Sequence, residues 1–281
     1  MAGGLYVEAR IRAGLECVWE RSQDPAQHQR WDLRFTRIVY LPVAEGEPQR
    51  FTYGVRVLPG LLVAGTGVSA GERHRPDSTR TSALRFACAH PLSFLTEGRG
   101  YWRYVPGPDG LRFLTGYDYE PRWGRPGRLA DRLVFRPLMG WATAWSFDRL
   151  RLWCERGVTP ERALLRGLAE AAVRAGAVAG AVWVAGASAA GAWAAGAWGA
   201  GSWGAGSWGA GSWGGGPWAT GLGSVPALLV AVAVLLAALL LPPLPGTPSA
   251  RRCLRRPPGR GTGTGTDAGA PPALLDRLEQ P

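Results

Sequence analysis

From position 175 to position 250 the chain carries no charged side chain, although charged residues make up 19% of its 281 positions. A soluble domain covers its surface with about a quarter charged residues, so a neutral tract of this length lies in lipid or outside any globule. The layout follows from that tract: a globular part before it and a short basic tail after it. Binding or catalytic chemistry is therefore expected within residues 1–160.

Within the tract, residues 222–241 contain the run LLVAVAVLLAALLL and are predicted to be a transmembrane helix. About 20 apolar residues at 1.5 Å each span a hydrocarbon layer of about 30 Å. Residues 161–174 read as a short helical linker. Residues 175–221 form a low-complexity Ala/Gly/Trp tract, and its first part, 175–199, is a candidate first membrane span rich in small residues that let helices approach closely. Trp193, Trp198, Trp203, Trp208, Trp213 and Trp218 recur every fifth residue. Five residues turn a helix by about 140°, so these rings make no single stripe and the segment reads as an interface-seeking loop. The tail, 242–281, is expected to be mostly disordered apart from a short helix over 273–278.

Charge orders these pieces. The net charge is +11, every basic residue is Arg, and Arg251, Arg252, Arg255, Arg256 and Arg260 cluster in the tail. A hairpin of two spans would keep the basic domain and the basic tail in the cytoplasm, as the positive-inside rule prefers. The N-terminus, MAGGLYVEARIRAG, reaches a charge at Glu8 and has no apolar core of a secretory leader. The expected location is the cell membrane, with domain and tail facing the cytoplasm. Cys17, Cys88, Cys154 and Cys253 are scattered, which suits reduced thiols.

Residues 4–12 alternate, with Leu5, Val7, Ala9 and Ile11 on one face, and predict a half-buried strand. Two short helices follow, over 15–22 and 26–31, the second entered through Asp24 and Pro25. The period then returns to two for about ninety residues, broken by turn signals at 42–48, 59–60, 75–77 and 106–110, and predicts six antiparallel strands. One face collects aromatic and aliphatic residues. The other collects Arg50, Arg56, Arg85, Glu97, Arg99, Arg103, Arg112, Asp118 and Glu120 and is expected to meet water. Residues 126–156, with Leu138, Trp141, Trp145, Leu152 and Trp153 at helical spacing, supply the cover, and Pro137 should kink or restart that helix. The fold class is α+β, a curved antiparallel sheet wrapped on a long C-terminal helix.

The opening stretch from Ala13 to Asp32, with Val18-Trp19, Asp24-Pro25 and Trp31-Asp32, resembles the first motif of the START-like (SRPBCC) superfamily, which includes polyketide cyclase/dehydrase-type and Bet v 1-like proteins. Gly14 stands where that family usually has Pro. The resemblance covers residues 4–156 and implies a helix-grip fold around an apolar cavity for lipids, polyketides or similar molecules.

The residue pattern agrees: Tyr53, Phe86, Trp102, Tyr104, Phe113, Tyr117, Tyr119, Trp141 and Trp145 are expected to converge on one interior, as ligand-pocket candidates. Arg122, Arg125, Arg128, Arg132 and Arg136 interleave with apolar residues and are membrane-surface candidates. Asp131 sits among them, which also fits an ordinary solvated helix face. His28, His74 and His90 have no evident partners, no ligand spacing suggests a metal, and no catalytic residue or cofactor is expected. No nucleic-acid motif accompanies the charge, so nucleic acid is not an expected partner. The leading expectation is a membrane-tethered binder of a hydrophobic small molecule or lipid. The alternatives are a cyclase/dehydratase-like enzyme of the same fold and a docking or scaffold module with a filled core.

Overall fold

The computed structural model describes residues 4–58, 60–199 and 218–257. The Trp-rich segment after Gly199, expected as a loop, and the tail beyond Pro257, including the helix expected over 273–278, lie outside the described residues. Two compact units are present. One comprises residues 1–165 with the chain from Pro245 onward, and the other residues 166–244.

The first unit opens with β1 (Leu5–Ile11), α1 (Leu15–Gln23) and α2 (Pro25–Trp31). Asp24 caps α2 as its sequence implies: its carboxylate accepts from Ala26 N at 2.9 Å, and Pro25 takes the first turn, where its missing N–H costs nothing. Six strands follow, β2 (Arg37–Tyr40), β3 (Arg50–Leu58), β4 (Leu61–His74), β5 (Arg80–Ala87), β6 (Leu95–Gly107) and β7 (Gly110–Pro121). They pair antiparallel in the order β1-β7-β6-β5-β4-β3-β2. This is the expected meander of hairpins, closed when β1 pairs β7 with Ala9 opposite Phe113.

Two glycines shape the inner wall. A Cβ on Gly65 would collide with the Tyr53 ring, and one on Gly98 with the Phe86 ring and, at 2.7 Å, with Asp118 O. Glycine therefore lets a ring from a neighbouring strand lie flat across the sheet, a closer approach than the bend that strand glycines often signal. Gly98→Val should cost about 2–3 kcal/mol by overpacking, read as a lowered urea midpoint of tryptophan fluorescence.

The covering helix comes in three pieces: α3 (Gly124–Ala130), a π-helical turn (Asp131–Phe135) and α4 (Arg136–Arg156). The wider turn ends at Phe135, two residues before Pro137, whose ring and missing N–H would break a continuous α ladder. Gly157 ends α4 in the left-handed conformation at φ 64°, returning its N–H to Trp153 O. The face that α4 buries matches the expected one only in part: Leu152 is fully buried, and Trp145 and Trp153 pack against the core. Ala144, Phe147 and Leu150 enter the core, while Leu138 and Trp141 are exposed. Small residues on the inner side, Gly140, Thr143 and Ala144, let the helix approach the sheet, and tryptophans do not fit there.

The outer face of the sheet also departs from expectation. Arg103 is buried and Arg112 half-buried, and Tyr6, Ala83, Tyr101 and Leu114 make a second small core on that side. Glu8, also buried, holds Arg112 through both carboxylate oxygens at 2.8 and 3.0 Å and accepts from Tyr6 Oη at 2.5 Å. The outward register of β1, β6 and β7 carries large apolar residues as well as charges, and these pack together.

The chain after Pro245 is a further departure, because residues 245–254 pack onto the first unit as a strap. Leu254 pairs with Glu8 in antiparallel fashion, through Glu8 N to Leu254 O and Leu254 N to Glu8 O, both 2.9 Å. Ala250 and Cys253 join the main core.

In the second unit, the segments read as linker and first span are one helix, α5 (Pro160–Gly199), which starts in the first unit, and α6 (Trp218–Leu240) follows. They run antiparallel along small residues, with Ala177, Gly180, Ala181 and Val184 on one side and Ala227, Val230, Ala231 and Val234 on the other. Arg174, paired with Glu170, donates to the free carbonyls of Ala238, Leu241 and Pro242 at the C-terminal end of α6. Among the described residues one helix is long and apolar enough to cross a membrane, Pro160–Ser188, and the apolar Val225–Leu240 is shorter.

Candidate functional site

The concave side of the first unit divides into two ends. At one end Trp31, Trp102, Tyr104, Phe113 and Phe147 interlock, with Phe113 stacked on Phe147 at 4.4 Å and Tyr104 tilted on Phe113 at 5.0 Å. Tyr104 Oη reaches Ser22 Oγ at 2.6 Å. These rings fill space, as core rings do at crystal-like packing density. Three of the nine ring candidates, Trp102, Tyr104 and Phe113, thus belong to a solid core.

Four others line the opposite end. Tyr53 lies over Gly65 and donates to Ala87 O at 3.3 Å, and Phe86 lies over Gly98. Tyr117 Oη bonds Thr143 Oγ1 at 3.0 Å, and Tyr119 donates to Asp131 and meets Phe94 edge-on at 5.7 Å. Phe35, Phe51, Phe86 and Phe94 remain half-buried on this wall. The last two candidates stand apart: Trp145 flanks the core and stacks at 6.1 Å on the exposed Trp141. A separate recess of about 430 Å³ crosses the outer face of β4–β7, where Arg85, Arg99, Glu97, Asp118 and Glu120 stand.

Between the two ends lies a polar cluster absent from the sequence-based expectation. The carboxylate of Asp32 has no exposed side-chain surface. Its Oδ1 accepts from Arg34 N at 3.0 Å and Nε at 2.9 Å, and its Oδ2 from Arg34 Nη2 at 2.6 Å. His28 Nε2 lies 3.2 Å from the same Oδ2. The Arg34 guanidinium sits 5.4 Å from the Tyr117 ring centre, which ties the pair to the ring-lined wall.

Burial pushes the Asp32 carboxyl up, but the Arg34 charge and the bonds from His28 and Arg34 outweigh it and hold it well below the usual range. Burial lowers His28 further than Asp32 raises it, so the imidazole is neutral at pH 7. His28 is enclosed by Trp31 at 4.9 Å and Trp102 at 4.7 Å, a buried place its sequence context did not suggest. The available signal was the spacing: a His four residues before an Asp that ends a helix, with an Arg two residues on.

The five arginine candidates separate. Arg122 donates to Cys88 O at 2.5 Å and Ser93 O at 3.1 Å and so fastens a loop, and Arg136 binds Asp131 at 3.2 Å. Arg125, Arg128 and Arg132 are exposed. All four cysteines are free thiols, and burial pushes Cys253 up to about 12.

No family model matches the chain. The uncharacterized membrane protein YndG of Bacillus subtilis is 48% identical over 159 residues, which is 56% of this chain and 59% of that protein. The matched region thus spans less than two thirds of the relative's length. Solved structures of similar shape include a Thermus thermophilus protein at 17% identity, covering 53% of this chain and 97% of its own, with a TM-score of 0.40. A STAR-related lipid transfer protein fragment from Xanthomonas axonopodis has 19% identity, 51% and 81% coverage and a TM-score of 0.39. Human StAR-related lipid transfer protein 5 has 15% identity, 53% and 74% coverage and a TM-score of 0.39. On its own strand order, its two small helices after β1 and its long closing helix, the N-terminal unit has the α+β helix-grip fold that the sequence implied.

Proposed function

We propose that this chain is a membrane-anchored binder of a hydrophobic small molecule or lipid, held on the concave wall beside Arg34 and Tyr117. The observation that carries the reading is the wall itself. Phe51, Phe86 and Phe94 stay half-buried on the inner side, next to one charged and hydroxylated cluster. Apolar walls with a few convergent polar groups suit amphiphiles. The filled end, by contrast, is occupied by interlocked rings, so the ligand is assigned to the wall on the Arg34 and Tyr117 side.

Native mass spectrometry of the full chain, extracted in mild detergent, should reveal an apolar adduct. Phe86→Arg should lower affinity for a fluorescent long-chain fatty acid at least tenfold, because a charge would replace apolar contact, while Trp141→Ala at the exposed rim should not. No adduct together with no binding of the probe by the unmodified chain would sink the reading.

Anchoring by a two-span hairpin is part of the same proposal. The return of the chain to the first unit at Pro245 supports a hairpin, in which an even number of crossings lies between residues 166 and 244. A C-terminal tag should resist protease in right-side-out vesicles and be cut in inside-out ones; the reverse pattern argues against cytoplasmic ends.

A further inference from the structure

Between Arg122 and Trp141 the fold leaves a row of large apolar side chains uncovered. Trp123, Leu129, Leu133, Val134 and Leu138 are each 48% to 65% exposed. Single exposed leucines are ordinary on a protein surface, but five such residues within sixteen positions form a patch that calls for a partner. The π-helical turn helps to assemble it. A five-residue step such as Leu133 to Leu138 turns about 140° in an α-helix, and the wider turn reduces that rotation.

Trp123 adds a second sign. Its φ of 68° lies in the left-handed region, which a bulky residue rarely adopts. Such strain persists where the surroundings impose it, here through Arg122, whose N–H donates to Phe94 O at 2.8 Å.

The charges decide what covers the strip. The acid in this stretch, Asp131, is buried and engaged by Tyr119 and Arg136, so it does not neutralise the surface. The outward side carries aliphatic residues flanked by Arg125, Arg128 and Arg132. Nucleic acid would not reward the aliphatics. An anionic lipid surface rewards both, and the same chain carries a helix, α5, long and apolar enough to cross a bilayer.

We infer that the segment from α3 to the start of α4 docks on an anionic leaflet, with Leu129, Leu133, Val134 and Leu138 at the acyl boundary and Arg125, Arg128 and Arg132 on lipid phosphates. This rests on the membrane anchoring and not on any ligand in the concave wall.

The test uses the full chain in nanodiscs of phosphatidylcholine, with or without about 30% phosphatidylglycerol. A nitroxide at Leu133→Cys, in a Cys17→Ser, Cys154→Ser background, is compared with one at Glu45→Cys in an exposed loop. With phosphatidylglycerol present, the label at 133 should collide with oxygen more than with a water-soluble nickel complex, while the label at 45 stays aqueous. Arg125→Gln, Arg128→Gln and Arg132→Gln together should weaken that lipid-dependent partition on the order of a hundredfold, with near-ultraviolet circular dichroism unchanged. A label at 133 as aqueous as that at 45 in both lipids overturns the inference. So does one shielded from both reagents, since that places protein over the strip.

Discussion

Asp148→Ala is expected to destabilise the N-terminal unit by about 3–5 kcal/mol and to release the strap. The Asp148 side chain, on α4, is fully buried. Its Oδ1 accepts from Arg151 Nε at 2.6 Å, and its Oδ2 from Ser249 N at 2.7 Å and Arg252 Nη1 at 2.9 Å. Removing the carboxylate takes three charge-assisted acceptor contacts from a buried place: Ser249 N loses its acceptor there, while Arg151 keeps Glu155 and Arg252 keeps Thr247 O. Arg252→Gln removes one arm only, and its cost should be nearer 1 kcal/mol. The readout is chemical as well as thermal. Cys253 lies on the strap and is buried against Ala144 of α4, and burial pushes its thiol up to about 12, so a maleimide should modify it slowly in the unmodified chain. In Asp148→Ala that modification should accelerate at least tenfold, well below the melting temperature. Unchanged protection of Cys253 would mean that the strap is held by Leu254 and its apolar contacts alone.

The strap also marks where the amino-acid pattern stopped being informative. Alternation along β1 and β3–β7, the Asp24-Pro25 helix start and the restart at Pro137 are local signals, written in adjacent residues, and each reappears in the structure. The docking of residues 245–254 is a non-local event between segments about 100 positions apart, carried by a single buried Asp and a short pairing, and composition argued for disorder there. The face of α4 was legible only in part, at Leu152, for a related reason. Helical spacing identifies a periodic set of residues, but the choice between the tryptophan side and the Ala144–Phe147–Leu150 side depends on how closely the sheet approaches. Of the candidate site, the rings of β3–β7 were visible as an alternating pattern. Which of them interlock and which line a wall was not, because Trp31 and Phe147 arrive from other elements to fill one end.

The polar cluster makes the other large prediction. Asp32→Leu should cost about 3–5 kcal/mol, because it strands the Arg34 guanidinium and deprives His28 of its partner inside the unit. Arg34→Met alone should cost a similar amount by stranding Asp32. The double variant should recover a substantial part of either loss, since an apolar pair of comparable volume avoids the desolvation of both charges. If the losses simply add, the two side chains act independently and the cluster reading fails.

The pH dependence follows with a definite sign. Asp32 and His28 both titrate below their ordinary values in the folded state, so the unfolded chain binds protons first as pH falls. The stability they supply is present above the unfolded values, near 6.5 for His and about 4 for Asp, and drains away as pH falls through the folded ones. Denaturant midpoints measured from pH 8 to pH 3 should therefore decline on the acid side. In the Asp32→Leu, Arg34→Met chain the part of the decline below about pH 4 should flatten, because the Asp contribution is gone, while the part just below the unfolded His value stays, since His28 has lost the partner that raised it. An identical acid slope in both chains would assign the dependence to other buried carboxylates, of which Glu8, held low by Arg112 and Tyr6 against its burial, is the first to replace.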